Sequence, residues 1–142
     1  MQFLKKLTAT GFGLALAVLG GSAQAQGMNP AGFWRCIVNN EIVSIDVQVQ
    51  IAPDQSLQFA GGIIYVQTSR AFQVQGPGRW LLSPPEPGYP GGLFRFQMQP
   101  AAGNHAIFSM FAAPTGDPNF LANQFYNPQT GTTTHTNCQR LG

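Results

Sequence analysis

The chain reads as an all-β protein: a single small antiparallel barrel of about eight strands, stapled by one disulfide, with a β-sandwich as the alternative. Three observations predict it. From Val43 to Ile51, five apolar residues at odd positions alternate with Ser44, Asp46, Gln48 and Gln50, a period of two that sets one face on a core and the other in water. Turn-forming Gly, Pro, Asn and Asp recur between short apolar runs, and eleven prolines leave no helical period beyond the first residues. The two cysteines, Cys36 and Cys138, stand in the first and last runs, so a bond between them ties the fold's first element to its last.

Residues 1–25 have the three parts of a secretory signal: Lys5 and Lys6, an apolar run from Leu7 to Leu19, and Ala23-Gln24-Ala25 before the expected cut. That run is shorter than the roughly 20 residues of a membrane helix, and no later stretch is long and apolar enough, so no membrane span is expected. No cysteine follows the cut and no arginine pair precedes the apolar run, which argues against a lipid anchor and the twin-arginine route. The remainder, 26–142, is expected to be one β-domain, a monomer in the periplasm or outside the cell.

Both lysines lie in the leader. Beyond it Arg35, Arg70, Arg79, Arg95 and Arg140 stand against Glu41, Asp46, Asp54, Glu86 and Asp117, a formal balance of zero. Nucleic acid needs clustered cations to neutralise phosphates, and scattered, balanced charges exclude it as a partner.

Taken in order, the first strand is Phe33 to Val38, followed by Asn39-Asn40, a pair that tolerates the positive φ of a tight hairpin. The second is Val43 to Ile51, closed by Ala52-Pro53-Asp54-Gln55-Ser56. The third, Leu57 to Val66, contains Gly61-Gly62, which predicts a bulge or sharp bend. Further runs follow at 71–75, 79–83, 93–99, 105–112, 120–126 and 132–138, with turns expected at Gly76-Pro77-Gly78, Gly103-Asn104, Asp117-Pro118-Asn119 and 127–131. The tetrads at 47–50, 72–75 and 96–99 echo one another as apolar-Gln alternation; a repeated hairpin is one reading, an ordinary half-buried strand in a charge-poor protein the preferred one.

If Cys36 points inward, so do Trp34 and Val38, and Cys138 shares its side with Thr134, Thr136 and Arg140. His135 then faces outward, and His105 is expected at a rim. Two distant histidines and scattered acids show no metal-ligand spacing. No serine sits in a nucleophile elbow, and the cysteines serve the staple. Glu41 and Asp46 fall on opposite faces of one strand, which rules them out as a paired-carboxylate site. Neither an enzyme, a metal nor a cofactor is expected.

The segment Ser83-Pro84-Pro85-Glu86-Pro87-Gly88-Tyr89-Pro90-Gly91-Gly92 is the longest break between strands, and its prolines favour a stiff, extended loop that would offer Tyr89 and Glu86 to a partner at little ordering cost. The Gln-, Asn- and Thr-rich faces lack the lysines that commonly guard sheet edges, and closing the sheet is one remedy.

Gly32-Phe33-Trp34 resembles the G-x-W signature of calycin-type barrels: lipocalins, avidin-like proteins and small barrel inhibitors that bacteria export against proteases. The resemblance implies that Trp34 packs near a closed end of the barrel beneath an arginine from close to the final strand, a position Arg140 matches. The end-to-end cysteine pair is similar to that of exported lysozyme-inhibitor barrels, whose inhibitory loop motif is not evident here. About 107 residues from Gly32 to Cys138, shared among eight or nine short strands, favour an interior filled by side chains over a roomy cup. The expectation is therefore a non-enzymatic exported barrel that binds a protein or polymer through rim loops, with Tyr89, Glu86, Asp117 and Asn119 as candidate contacts. The alternatives are a small-ligand carrier lined by Trp34, Phe94, Phe96 and Phe108, and a structural or matrix protein.

Overall fold

The computed structural model describes residues 28–101 and 107–142. They form eight strands: β1 Gly32–Asn39, β2 Val43–Ile51, β3 Ser56–Tyr65, β4 Arg70–Leu82, β5 Phe94–Met98, β6 Phe108–Pro114, β7 Phe120–Asn127 and β8 Thr132–Arg140. Each pairs antiparallel with the next and β8 returns to β1, so one sheet closes into a barrel and the sandwich alternative falls. The expected signal and cut, His105 and the Gly103-Asn104 turn lie outside the described residues.

Alternation in β2 sets the pattern. Ile45, Val47, Val49 and Ile51 are buried while Asp46, Gln48 and Gln50 are exposed. Paired with them, β1 turns Trp34, Cys36 and Val38 inward, and β3 turns Leu57, Phe59 and Ile63 inward. Phe94, Phe96, Met98, Met110 and Leu121 fill the opposite wall, each at most 2 % exposed. The three Gln tetrads fall on β2, β4 and β5 as ordinary alternation, apolar side chains inward each time.

Cys36 and Cys138 are direct cross-strand partners on β1 and β8, bonded inside the barrel with Cα atoms 4.0 Å apart. The staple lies across the seam where the last strand meets the first. A bond of this kind marks an oxidising environment outside the cytoplasm.

Two expected breaks are absent. Gly61-Gly62 carries no bulge, because β3 keeps an unbroken register with both β2 and β4. Gly61 faces inward where the strands press together: a Cβ there would lie 2.6 Å from Val47 Cα. Gly76-Pro77-Gly78 is likewise no turn but the middle of the thirteen-residue β4. The Pro77 carbonyl accepts the Gln99 N–H at 3.0 Å, so the missing proline N–H points to that same side and the ladder to β3 is untouched. Inward Gly78 leaves room for Leu57, whose Cδ1 would stand 2.6 Å from an added Cβ.

Up-and-down winding sorts the loops. Residues 28–31, 52–55, 83–93, 115–119 and 141–142 gather at one end, here the terminal end, and 40–42, 66–69 and 128–131 at the other, the far end.

Candidate functional site

Of the described groups, those expected to bind a partner all lie at the terminal end, and that end is tied down. The Arg140 guanidinium lies 4.4 Å from the centre of the Trp34 ring and donates to the carbonyls of Ala31 at 2.6 Å, Asn29 at 3.1 Å and Pro118 at 3.1 Å. Trp34 donates its indole N–H to the Pro30 carbonyl at 2.8 Å, and Trp80 donates its own to the Ala52 carbonyl at 2.8 Å. Two tryptophans and one arginine thus hold the N-terminal approach and the loops at 52–55 and 115–119 over the core.

The proline-rich loop is not extended. Glu86 and Tyr89 exchange both backbone hydrogen bonds around Pro87-Gly88, where Gly88 has φ +89°, and Gly92 N–H then bonds the Tyr89 carbonyl at 3.0 Å. Proline followed by a glycine at positive φ is the chemistry of a type II turn, so the same residues that suggest stiffness fold the loop on itself. Tyr89 is half-buried, its hydroxyl donating to Asn123 Oδ1 on β7 at 3.0 Å. Glu86 is exposed.

Asp117 and Asn119 share the neighbouring loop and act within it. Asp117 Oδ1 accepts the Asn119 N–H at 2.9 Å, and the Asn119 carbonyl accepts the Arg140 N–H at 2.9 Å. The aspartate therefore shapes an Asx turn. The structure brings the two loops to one end but shows the polar atoms of Tyr89 and Asp117 engaged in the fold. Trp34, Phe94 and Phe96 belong to the packed core, Phe94 stacking on Phe96 at 5.8 Å, while Phe108 packs edge-on to Phe59 at 5.9 Å.

The far end differs. There the tight turn after β1 is held by Asn40, whose Oδ1 accepts the N–H groups of Ile42 and Val43 at 2.8 Å and whose amide donates to Thr134 Oγ1 at 3.1 Å. Beside it a groove of about 320 Å³ is lined by Ile42, Tyr65, Gln67, Thr68, Arg70 and Phe72. Tyr65 packs edge-on to Phe72 at 5.8 Å, and the Arg70 guanidinium lies 5.1 Å from the Phe72 ring centre. Tyr65 and Phe125 occupy inward-facing register positions, yet they are 39 % and 55 % exposed; with Ile42 and Val66, each 49 % exposed, they make an apolar arc around this end. Sequence alternation marks Tyr65 and Phe125 as interior, and only the closed topology shows that they sit where the interior opens.

Two carboxylates are held within the fold. Arg35 grips the exposed Asp46 with Nη2–Oδ2 at 2.6 Å and Nε–Oδ1 at 3.0 Å, and this hydrogen bonding holds the Asp46 carboxyl below its ordinary range. Hydrogen bonds from the Ser56 hydroxyl and N–H do the same for Asp54. His135 is exposed on β8. Among the described residues no group of three or more His, Cys, Asp or Glu side chains converges to hold a metal ion.

Compared with known proteins, the chain matches no family model, no curated protein and no solved structure.

Proposed function

We propose that the protein is an exported, non-enzymatic barrel that binds a protein partner at its far-end rim, the partner placing an apolar side chain in the Ile42–Phe72 groove beside an acidic group facing Arg70. The observation that carries this reading is the contrast between the ends. One is closed over the core by hydrogen-bonded Trp34, Trp80 and Arg140, with Phe33, Leu82 and Leu141 part-exposed about it, while the other carries the groove as well as exposed Ile42, Tyr65, Val66 and Phe125. Exposed apolar clusters of this kind are a common mark of interaction sites. Among the described residues Arg70 has no acidic partner, which supports an acidic group on the ligand side.

The disulfide and the leader-like residues 1–25, cut after Ala25, support a periplasmic or extracellular site of action. The Gly32-Phe33-Trp34 motif beneath Arg140 supports kinship with calycin-type barrels, an inhibitor-like role included. The rim loop carrying Glu86 and Tyr89 is the competing contact surface.

Photo-crosslinking in the host compartment separates the two surfaces. A crosslinker at position 42 or 66 is expected to capture a discrete partner that one at position 86 does not, and replacing Pro84 to Gly92 with a short flexible linker is expected to leave capture intact. Crosslinks from position 86 alone would overturn the far-end reading.

A further inference from the structure

Among the described residues the barrel wall has its shortest ladder at one seam. β1 and β2 pair at eight positions, and so do β7 and β8. β6 and β7 pair at two, Ala113 with Ala122 and Pro114 with Leu121. Residues 108–112 and 123–127 stay in strand conformation, because β5 pairs the far edge of β6 and β8 pairs the far edge of β7, but they have no ladder partner across this seam. Four of the exposed large apolar side chains flank it: Ile107, Phe111, Phe125 and Tyr126, the last 59 % exposed.

We propose that the β6–β7 seam is a binding site for an extended peptide strand of another protein, apolar on one face and acidic on the other. Each unpaired edge repeats its N–H and C=O groups every second residue, about 7 Å, a spacing that an extended polypeptide matches. Both edges are held straight by their outer neighbours, so strand addition needs little reordering of the barrel. On the inner side a ligand residue meets Phe125; on the outer side it meets Phe111 and Tyr126. Arg95 on β5 reaches over β6, its Nε 3.4 Å from Ser109 Oγ, and has no acidic partner among the described residues. That places an unmatched cation on the outer face beside the seam.

The same charges argue against a second copy as occupant. Neither β6 nor β7 carries an acid, so two seams facing each other would set Arg95 against Arg95. The one acid of the eight strands is Asp46 on β2, a strand laddered on both edges, and it is already paired with Arg35 of β1.

The test uses the oxidised domain and the probe peptide acetyl-Val-Glu-Val-Glu-Val-Glu-amide, with the Lys-for-Glu peptide as control and amide hydrogen exchange followed residue by residue. The acidic peptide is expected to slow exchange at 108–112 and 123–127, the basic one to have no effect. N-methylation of alternate peptide amides, in the two possible phases, is expected to abolish protection in one phase at least, which separates strand pairing from simple apolar adhesion. Arg95→Glu is expected to exchange the preference between the two peptides. No protection by the acidic peptide at millimolar concentration overturns the proposal, as does protection confined to the Ile42–Phe72 groove. Protection of the seam without peptide, rising with protein concentration, would overturn it in favour of self-pairing. Failure here leaves the far-end reading standing, since positions 42 and 66 lie in the turns that follow β1 and β3, away from this seam.

Discussion

Arg140 and Trp34 face each other as Cα partners on β8 and β1, and the guanidinium lies 4.4 Å from the indole ring centre. The pair sits two residues along each strand from the Cys36–Cys138 bond, so a covalent and a non-covalent clasp hold the same seam. Trp34 is fully buried because Arg140 covers it while binding three backbone carbonyls.

Arg140→Ala should therefore cost more than a surface arginine. Losing a partly desolvated cation–π contact and charged hydrogen bonds is expected to lower stability by about 2–4 kcal/mol. Arg140→Lys should recover less than half of this, because one ammonium cannot serve all three carbonyls from over the ring. Urea titrations followed by tryptophan fluorescence check both, with unchanged slope showing that the folded state itself is intact.

The disulfide closes a chain separation of 102 residues, for which the chain-entropy model gives about 4–5 kcal/mol. The expected outcome for Cys36→Ala with Cys138→Ala is a loss of that order, and an intact mass two hydrogens higher on reduction of the native protein. A double variant as stable as the native chain would mean that the β1–β8 ladder alone holds the seam.

Much of the fold is legible in the chain because strand alternation is local. The odd positions of β2, the inward phase of Trp34 and Cys36, and the end-to-end staple all follow from residues a few places apart or from a count of two cysteines. What is not legible depends on partners distant in sequence. Gly76-Pro77-Gly78 reads as a turn until Pro77 is seen to aim its missing N–H away from β3. Tyr89 reads as an offered side chain until Asn123 takes its hydroxyl. The opened β6–β7 seam leaves no trace in alternation, since Phe125 and Met110 keep their inward phase whether or not their backbones pair; one is 55 % exposed and the other 2 %.

Neighbouring glycines on β3 should respond in opposite ways. A Cβ at Gly61 would stand 2.6 Å from Val47 Cα and 2.9 Å from Val47 Cγ1, contacts that only a backbone shift relieves. Gly61→Ala is expected to destabilise by about 1–3 kcal/mol. At Gly62 the nearest atom is the Phe72 carbonyl oxygen at 3.6 Å, an ordinary contact. Gly62→Ala should be neutral or stabilise by up to about 1 kcal/mol, chiefly by restricting the unfolded chain. Thermal midpoints of the two variants measured side by side decide the matter.

Acid should weaken the fold through Asp46 and Asp54, whose carboxyls are held below their ordinary range by Arg35 and by Ser56 respectively. A carboxylate depressed in the folded state binds its proton more readily once unfolded, so its contribution is present above the unfolded value near pH 4 and fades as pH falls through the folded one. Because the Arg35–Asp46 pair is half-exposed, with 51 % and 50 % of the side chains accessible, solvent and salt screen it. Denaturation midpoints should hold steady from neutral pH to about 5 and decline below about 4. Asp46→Asn should flatten part of that decline, and added salt should shrink the difference between Asp46→Asn and the native chain at neutral pH. If Asp46→Asn left the decline below pH 4 unchanged at low salt, the ion pair would be a geometric feature of the β1–β2 surface without a share in stability.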